Sequence, residues 1–208
     1  MSPSSDPIKA QLREQLIAAR SSIDAIQRLE FDTQISQHII EAIGNEPPQH
    51  IAAYLAFKGE PDLGDALQRL AAQGHRLYLP VLNGANMQFR AWNPGSALTP
   101  NRFGILEPVD GASRKPQDLN TVLLPLVAYD RAGARLGMGG GYYDRCFAFC
   151  RSREKSNRPQ LIGTAYSLQQ INEASLPLEP WDVTLDAIVH EQDWHRFNPP
   201  SFALRPNE

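Results

Sequence analysis

Five short apolar runs alternate with segments of helical periodicity, and this alternation limits the architecture more than any other feature. The runs are Ile51–Phe57, Arg76–Leu82, Thr121–Val127, Leu161–Tyr166 and Val183–His190. Runs of this length, apolar on both faces, suit strands covered on both sides rather than one side of an open sheet. Between and before them, Asp6-Pro7 offers an N-cap followed by proline at the first helical position. A second helix is predicted over Asp32–Ile43 with Gly44 as its stop, a third over Asp62–Gln73 closed by Gly74, and a fourth over Tyr142–Arg151. Asn83-Gly84 is a hairpin signal, so Met87–Trp92 should return antiparallel and end at Asn93-Pro94-Gly95. Residues Asn101–Ser113 read as loop. The pattern predicts an α/β fold: a three-layer α/β/α sandwich with a mostly parallel central sheet plus a small antiparallel hairpin. One domain over residues 1–208 is expected, with loose tails at 1–6 and 198–208.

Composition narrows the function classes. The chain has 208 residues, 42% of them hydrophobic, and a formal net charge of -3. No Lys/Arg cluster forms the basic face that holds a phosphate backbone, so no nucleic-acid partner is expected. The longest apolar runs, such as Thr121–Tyr129, fall short of the roughly 20 residues that cross a bilayer, so no membrane span is expected. The opening MSPSSDPIKA carries no basic segment followed by an apolar core, which argues against a secretory signal. Cys146 and Cys150, four apart, suit neither a disulfide nor a four-ligand zinc site; they read as reduced packing residues of a cytoplasmic protein. A monomer is expected. The five histidines show no metal-ligand or dyad spacing.

The chemistry concentrates between Leu126 and Arg145, LVAYDRAGARLGMGGGYYDR. An apolar strand ends at Tyr129-Asp130, and Gly137, Gly139, Gly140 and Gly141 then lead toward a helix. Backbone N–H groups at a glycine-preceded helix start, beyond the carboxyl end of a strand, suit a phosphate. Neither the Rossmann fingerprint nor the P-loop fits, because Tyr142 stands where the third glycine would be and no Gly-Lys-Ser/Thr follows. Arg135 and Arg145 flank the glycines and can neutralise phosphates. Asp144 can hold a metal or serve as first-turn charge favoured by the helix dipole. On the N-terminal helix Lys9, Arg13 and Arg20 fall within about 40° of one another, offering three cations to one anion or forming a solvated face. Ile8, Leu12, Leu16 and Ile23 make its apolar stripe. Phe57, Trp92 and Tyr129 could stack on a flat ligand or simply pack in the core.

The segment LLPLVAYDRAGARLGMGGGYYDR resembles the signature of the 5-formyltetrahydrofolate cyclo-ligase family, whose members are also called 5,10-methenyltetrahydrofolate synthetases. Lys9 with Arg13, AYLAFKGEPD around Glu60, LYLPVL followed by MQFRAW, NRFGILEP and WDVTLDAIV resemble further family blocks in family order, covering Lys9 to Val189. The resemblance implies the sandwich shared by sugar-phosphate isomerases and CoA transferases. It also implies an ATP- and magnesium-dependent ring closure of 5-formyltetrahydrofolate, with ATP as co-substrate and Mg2+ as cofactor. By the same resemblance Lys9 and Arg13 are a phosphate-binding pair, Arg135, Leu136, Gly137, Met138, Gly139, Gly140, Gly141, Tyr142 and Tyr143 line the nucleotide, and Met138 to Tyr142 also meet the folate. Leu55 and Glu60 match folate-pocket positions, Glu60 accepting from the donor edge of the pterin. Arg135 and Arg145 are the implied catalytic cations, and Asp144 with Asp186 the implied magnesium pair. The sequence departs from some members at Gly140, where they carry lysine; Arg135, Arg145, Lys9 and magnesium would then supply the charge.

A competing reading is a non-catalytic domain on the same scaffold that senses a phosphorylated metabolite. A sensor needs no metal pair aimed at a γ-phosphate, so Asp144 and Asp186 together with Lys9 and Arg13 discriminate the two.

Overall fold

The computed structural model describes residues 6–152, 157–171 and 176–197; the expected loose tails, apart from Asp6, lie outside the described residues. Helix α1 (Pro7–Ser21) begins as predicted, the Asp6 carboxylate accepting the Ile8 N–H at 2.9 Å. Helix α2 (Ala25–Ile43) starts a full two turns before the expected Asp32. Asp24 is its N-cap, accepting from the Ile26 and Gln27 N–H groups at 3.0 Å each. Ile26 and Leu29 in those first turns face solvent, so the apolar periodicity that marks a buried helix face begins late.

The main sheet has eight strands. Its centre is parallel: β1 (His50–Ala52) lies between β2 (Arg76–Asn83) and β7 (Thr121–Pro125), and β7 pairs with β10 (Gln160–Thr164), which pairs with β12 (Ala187–His190). Antiparallel strands close both edges, β13 (Asp193–Arg196) on β12, and β3 (Asn86–Trp92) then β6 (Ser113–Arg114) beyond β2. The predicted hairpin is present, with Asn83 opposite Asn86 and Gly84-Ala85 at its tip. Alternate residues of the parallel strands feed two cores. Ile51, Leu77, Leu123, Ile162 and Val189 pack with α2 and α3 (Gly64–Ala72). Ala52, Val122, Leu124, Leu161 and Ile188 pack with Phe147, Cys150, Val183 and Leu185. Covering both faces is what makes these strands uniformly apolar, and it yields the three-layer α/β/α arrangement.

Residues Asn101–Ser113, expected to be loop, contain β5 (Leu106–Pro108), which pairs with β4 (Leu98–Pro100), and the start of β6. Short strands with proline at their ends carry no usable period-2 signal. A third small sheet joins β8 (Ala128–Asp130) with β9 (Arg135–Leu136) and β11 (Gln170–Ile171). The Asp130 carboxylate ties it together, one oxygen accepting the Ala132 and Ala134 N–H groups and the other the Leu176 N–H at 3.0 Å. Helix α1 does not lie on the sheet face. Leu12 and Leu16 pack over Ala128, Ala134, Leu136 and Leu176 near the carboxyl ends of the parallel strands, whereas Ile8 is exposed.

Gly163 in β10 tests how tightly the second of these cores is filled. A Cβ there would stand 2.7 Å from both the Leu126 and Leu185 side chains and 2.8 Å from that of Ile188. Gly163→Ala should therefore destabilise the protein by about 1–3 kcal/mol, read from the urea midpoint, with no change in m-value.

Candidate active site

After β9 the chain enters Gly137–Gly141 and meets α1. Arg13 donates its Nε hydrogen to the Gly137 carbonyl at 2.8 Å, and its guanidinium lies alongside Gly139. Gly141, at φ +62°, starts α4 (Tyr142–Cys146), a conformation that favours glycine. The single helix expected over Tyr142–Arg151 is divided: α4 ends at Cys146 and a 3-10 turn covers Ala148–Arg151. Phe147 breaks it by plunging fully into the core against Phe89. A five-residue helix has a small dipole, so the cations around the glycines matter more than the sequence pattern suggested.

Most of those cations hold partners. Arg135 forms a 2.7 Å ion pair with Asp144 Oδ1, which also accepts the Val183 N–H at 3.3 Å. The Arg135 Nε is buried without a hydrogen-bond partner. Arg145 reaches across to the β2–β3 hairpin, donating to the Ala85 carbonyl and, at 2.9 Å, to that of Gly140, while its guanidinium stacks over the Tyr142 ring. Lys9 is buried between Glu179 at 3.6 Å and Asp182 at 3.9 Å. Arg20, on the same stripe as Lys9 and Arg13, is fully buried elsewhere. The stripe is thus neither a solvated face nor a three-cation anion site: Arg13 meets the glycine block, and Lys9 and Arg20 are committed to other groups.

Glu60 closes the turn that follows β1. Lys58 at φ +49° and Gly59 at φ +74° make the bend, and the Glu60 carboxylate accepts the Phe57 N–H at 3.1 Å. Arg20 lies 3.6 Å from the other carboxylate oxygen and donates to the Lys58 and Leu126 carbonyls at 3.0 and 2.9 Å. Burial raises the Glu60 carboxyl to about 7, with the Arg20 charge and the Phe57 N–H opposing it. Burial likewise lowers the Arg20 pKa against the pull of Glu60, so desolvation outweighs pairing on both sides of this contact. Tyr143 connects this turn to the glycine block. Its hydroxyl is pushed well up by burial first and by the Glu60 charge second, with Arg135 acting the other way. Glu60, Arg20, Tyr143, Arg135, Asp144 and the glycines therefore form one neighbourhood beyond the sheet.

Other expected site residues fall differently. Leu55 is half-buried against the α2-side core. Met138 is exposed, as a ligand-facing or simply solvated side chain would be. Tyr142 Oη donates to the Gly84 carbonyl at 3.2 Å and accepts from Arg102 at 2.9 Å. Arg102 escaped sequence reasoning; its signal was Asn101, whose side chain receives the Phe103 and Ile105 N–H groups and donates to Glu107, holding the loop that presents Arg102. Trp92 is a core residue and Tyr129 is buried against His190, so neither is placed as a stacking platform for a ligand.

The two carboxylates expected to share magnesium have separate surroundings. Asp144 keeps Oδ2 clear of its contacts with Arg135 and Val183 and is partly exposed, which suits a hard cation that also takes phosphate oxygens and water. Asp186 sits at the amino end of β12, gripped by Arg158 through both oxygens at 2.7 and 2.8 Å, and accepts the Leu161 N–H at 2.9 Å. Buried and neutralised in this way, it does not fit the metal as the structure stands. Among the described residues no group of three or more His, Cys, Asp or Glu could hold a metal ion. Nor is any helix among them long and apolar enough to cross a membrane.

The 5-formyltetrahydrofolate cyclo-ligase family pattern matches residues 5–191. The 5-formyltetrahydrofolate cyclo-ligase of Haemophilus influenzae is 35% identical over 186 residues, covering 87% of this chain and 96% of that one. Its Escherichia coli counterpart is 38% identical over 144 residues, 67% and 76% of the two chains. The 5,10-methenyltetrahydrofolate synthetase of Aquifex aeolicus superposes with a TM-score of 0.73 at 30% identity, covering 92% of this chain and 93% of that one. That of Mycoplasma pneumoniae gives 0.71 at 26% identity, covering 88% and 99%.

The Glu60 environment predicts a pH dependence of stability. A carboxyl raised to about 7 when folded, against an ordinary value of 4.5, favours the folded state below about pH 4.5, and that contribution is lost as pH rises through 7. The stability of Glu60→Gln relative to wild type should accordingly increase between pH 5 and 8 in urea titrations. A difference independent of pH would contradict the assignment.

Proposed function

Because this chain belongs to the 5-formyltetrahydrofolate cyclo-ligase family, we propose that it closes 5-formyltetrahydrofolate to 5,10-methenyltetrahydrofolate with consumption of magnesium-ATP. The observation that supports this most is the junction of two loops beyond the sheet. The glycine block with Arg13 and Arg135 suits a polyphosphate, and the Glu60 turn beside it suits a donor-rich heterocycle, with Tyr143 between the two. A sensor of one phosphometabolite has no use for the second half.

In this reading the γ-phosphoryl group of ATP passes to the formyl oxygen, converting a poor leaving group into a good one. The nitrogen at position 10 attacks the formyl carbon and loses its proton to water or the departing phosphate as the C–O bond breaks, leaving methenyltetrahydrofolate, ADP and phosphate. Such a reaction asks the protein for positioning and charge rather than for a nucleophile. Arg13 and the Gly137–Gly141 backbone cradle phosphates, with Lys9 behind them. Arg135 and Arg145 exchange part of their present contacts for phosphate oxygens, and Met138 to Tyr142 border both substrates. Magnesium, when bound, neutralises phosphate charge and withdraws electrons from the transferring group. Asp144 is the protein ligand the geometry favours; Asp186 acts by holding Arg158 and the start of β10. Glu60, ionised, accepts from the pterin, and Leu55 contributes apolar wall. The cytoplasm suits a chain with free thiols.

Purified protein given 5-formyltetrahydrofolate and magnesium-ATP should form methenyltetrahydrofolate, followed by its own absorbance band, with one ADP per turnover; product without ATP, or none with it, would sink the assignment. The two aspartates should separate. Asp144→Asn is expected to lower activity about tenfold or more, partly restored by added magnesium, and to lower the urea midpoint less than the change at Asp186, because Asp144 is the more exposed of the two carboxylates. Asp186→Asn should instead cost about 3 kcal/mol of stability, because it weakens a buried ion pair, with little rescue by magnesium.

A further inference from the structure

We propose that Arg20 is a positioning residue for folate recognition, one buried cation that both shapes the Glu60 turn and keeps its carboxylate charged and aimed at the substrate. The inference rests on the reading of Glu60 as the pterin acceptor.

Arg20 has no exposed surface, yet the guanidinium binds nothing that α1 itself needs. Its Nε donates to the Lys58 carbonyl in the turn, and Nη1 to the Leu126 carbonyl just beyond β7. Nη2 faces Glu60 Oε1 at 3.6 Å and makes no hydrogen bond. That separation is too long for a hydrogen bond but close enough for strong attraction at low dielectric. Glu60 Oε2 is taken by the Phe57 N–H, so the oxygen on the Arg20 side is the one left to accept from a ligand. An arrangement built only to brace the fold would close this pair; here it is held open by one missing contact on each partner.

The turn itself is strained in the sense that Lys58 adopts φ +49° without being glycine. Two arginines pin it, Arg20 through the Lys58 carbonyl and Arg28 of α2 through the Gly59 carbonyl at 3.2 Å. Arg28 donates to backbone carbonyls, its Nη2 to that of Arg20 at 2.8 Å, and forms no ion pair with Glu60 among the described residues. The charged and titratable groups facing Glu60 are Arg20 from α1, Tyr54 from the segment after β1, and Tyr143 from α4. Only Arg20 among them favours the ionised carboxylate. Removing its charge should make Glu60 harder to ionise, so substrate binding should require higher pH. A mere brace would show lost stability alone.

Folate KM, ATP KM and kcat measured between pH 6 and 9 distinguish these roles. Arg20→Met should raise the folate KM about tenfold near pH 7, well beyond any rise in the ATP KM that follows from a shift of α1, and move the acid limb of the folate profile, but not that of the ATP profile, to higher pH. Arg20→Lys should recover most of the loss. Arg28→Gln, which loosens the same turn but leaves the Arg20 charge, should not move the limb. In a Glu60→Gln background the Arg20 substitutions should no longer affect folate KM. An unmoved acid limb, or an equal Arg20 effect without the Glu60 charge, would overturn the proposal. If Arg20→Met does not fold, Arg20→Gln, which also removes the charge, carries the same readout, and an unmoved limb there overturns it as well. If Glu60→Gln alone leaves folate KM unchanged, the Glu60 reading fails, a result separable from an Arg20 effect that is absent while the Glu60 effect is large.

Discussion

A guanidinium sealed from water must find its acceptors inside the protein, and Arg20 finds three of them on two separate stretches of chain. The Lys58 and Leu126 carbonyls and the Glu60 carboxylate belong to loops that leave β1 and β7, neighbouring strands of the parallel ladder. Meeting all three sets both the position and the rotation of α1. With α1 so rotated, Leu12 and Leu16 reach the small β8–β9–β11 sheet, and Arg13, almost two helical turns before Arg20, arrives at Gly137. Leaving such a cation without its acceptors would cost several kcal/mol, so the helix has little freedom to slide.

The same concern for buried charge runs through the rest of the site. Lys9 is balanced by Glu179 and Asp182, Arg135 by Asp144 and Arg158 by Asp186, while the exposed Arg145 is held by two carbonyls. The cations are therefore preorganised by internal partners instead of pointing loosely into water. An anionic ligand entering here exchanges one set of contacts for another, and polyphosphate can compete because it offers several oxygens at once to a guanidinium fork. Local electrostatics consequently oppose the formal charge of -3 carried by the whole chain.

Periodicity and turn chemistry revealed the five parallel strands, the β2–β3 hairpin and two of the four long helical segments, α1 and α3, to within a few residues, because those elements bury a regular apolar face. They failed where burial is irregular. The start of α2 was hidden by exposed Ile26 and Leu29, and the strands inside Asn101–Ser113 by their brevity. The expected helix after the glycines was cut at Phe147, whose ring the core takes in preference to another helical turn. Within the site, the grouping of the glycines, Arg13, Arg135 and Asp144 was legible, since a short contiguous motif and one helix stripe carry it. Arg102 and Arg158 were not, because each acquires its meaning from a residue 40 or 28 positions away.

Residue order determined the layered α/β architecture and the concentration of backbone donors at Gly137–Gly141. Both follow from local rules, the alternation of apolar runs and the steric freedom of glycine, that need no knowledge of distant neighbours. Tertiary structure decided which charges remain available. Lys9, Arg13 and Arg20 are equivalent on a helical wheel, yet only Arg13 reaches the glycines; Asp144 and Asp186 are both aspartates of matching motifs, yet only Asp144 keeps an oxygen clear of its arginine contact. Desolvation and pairing depend on what the folded chain brings within a few ångströms, and so the chemical state of a side chain is a property of its neighbours rather than of its place in the sequence.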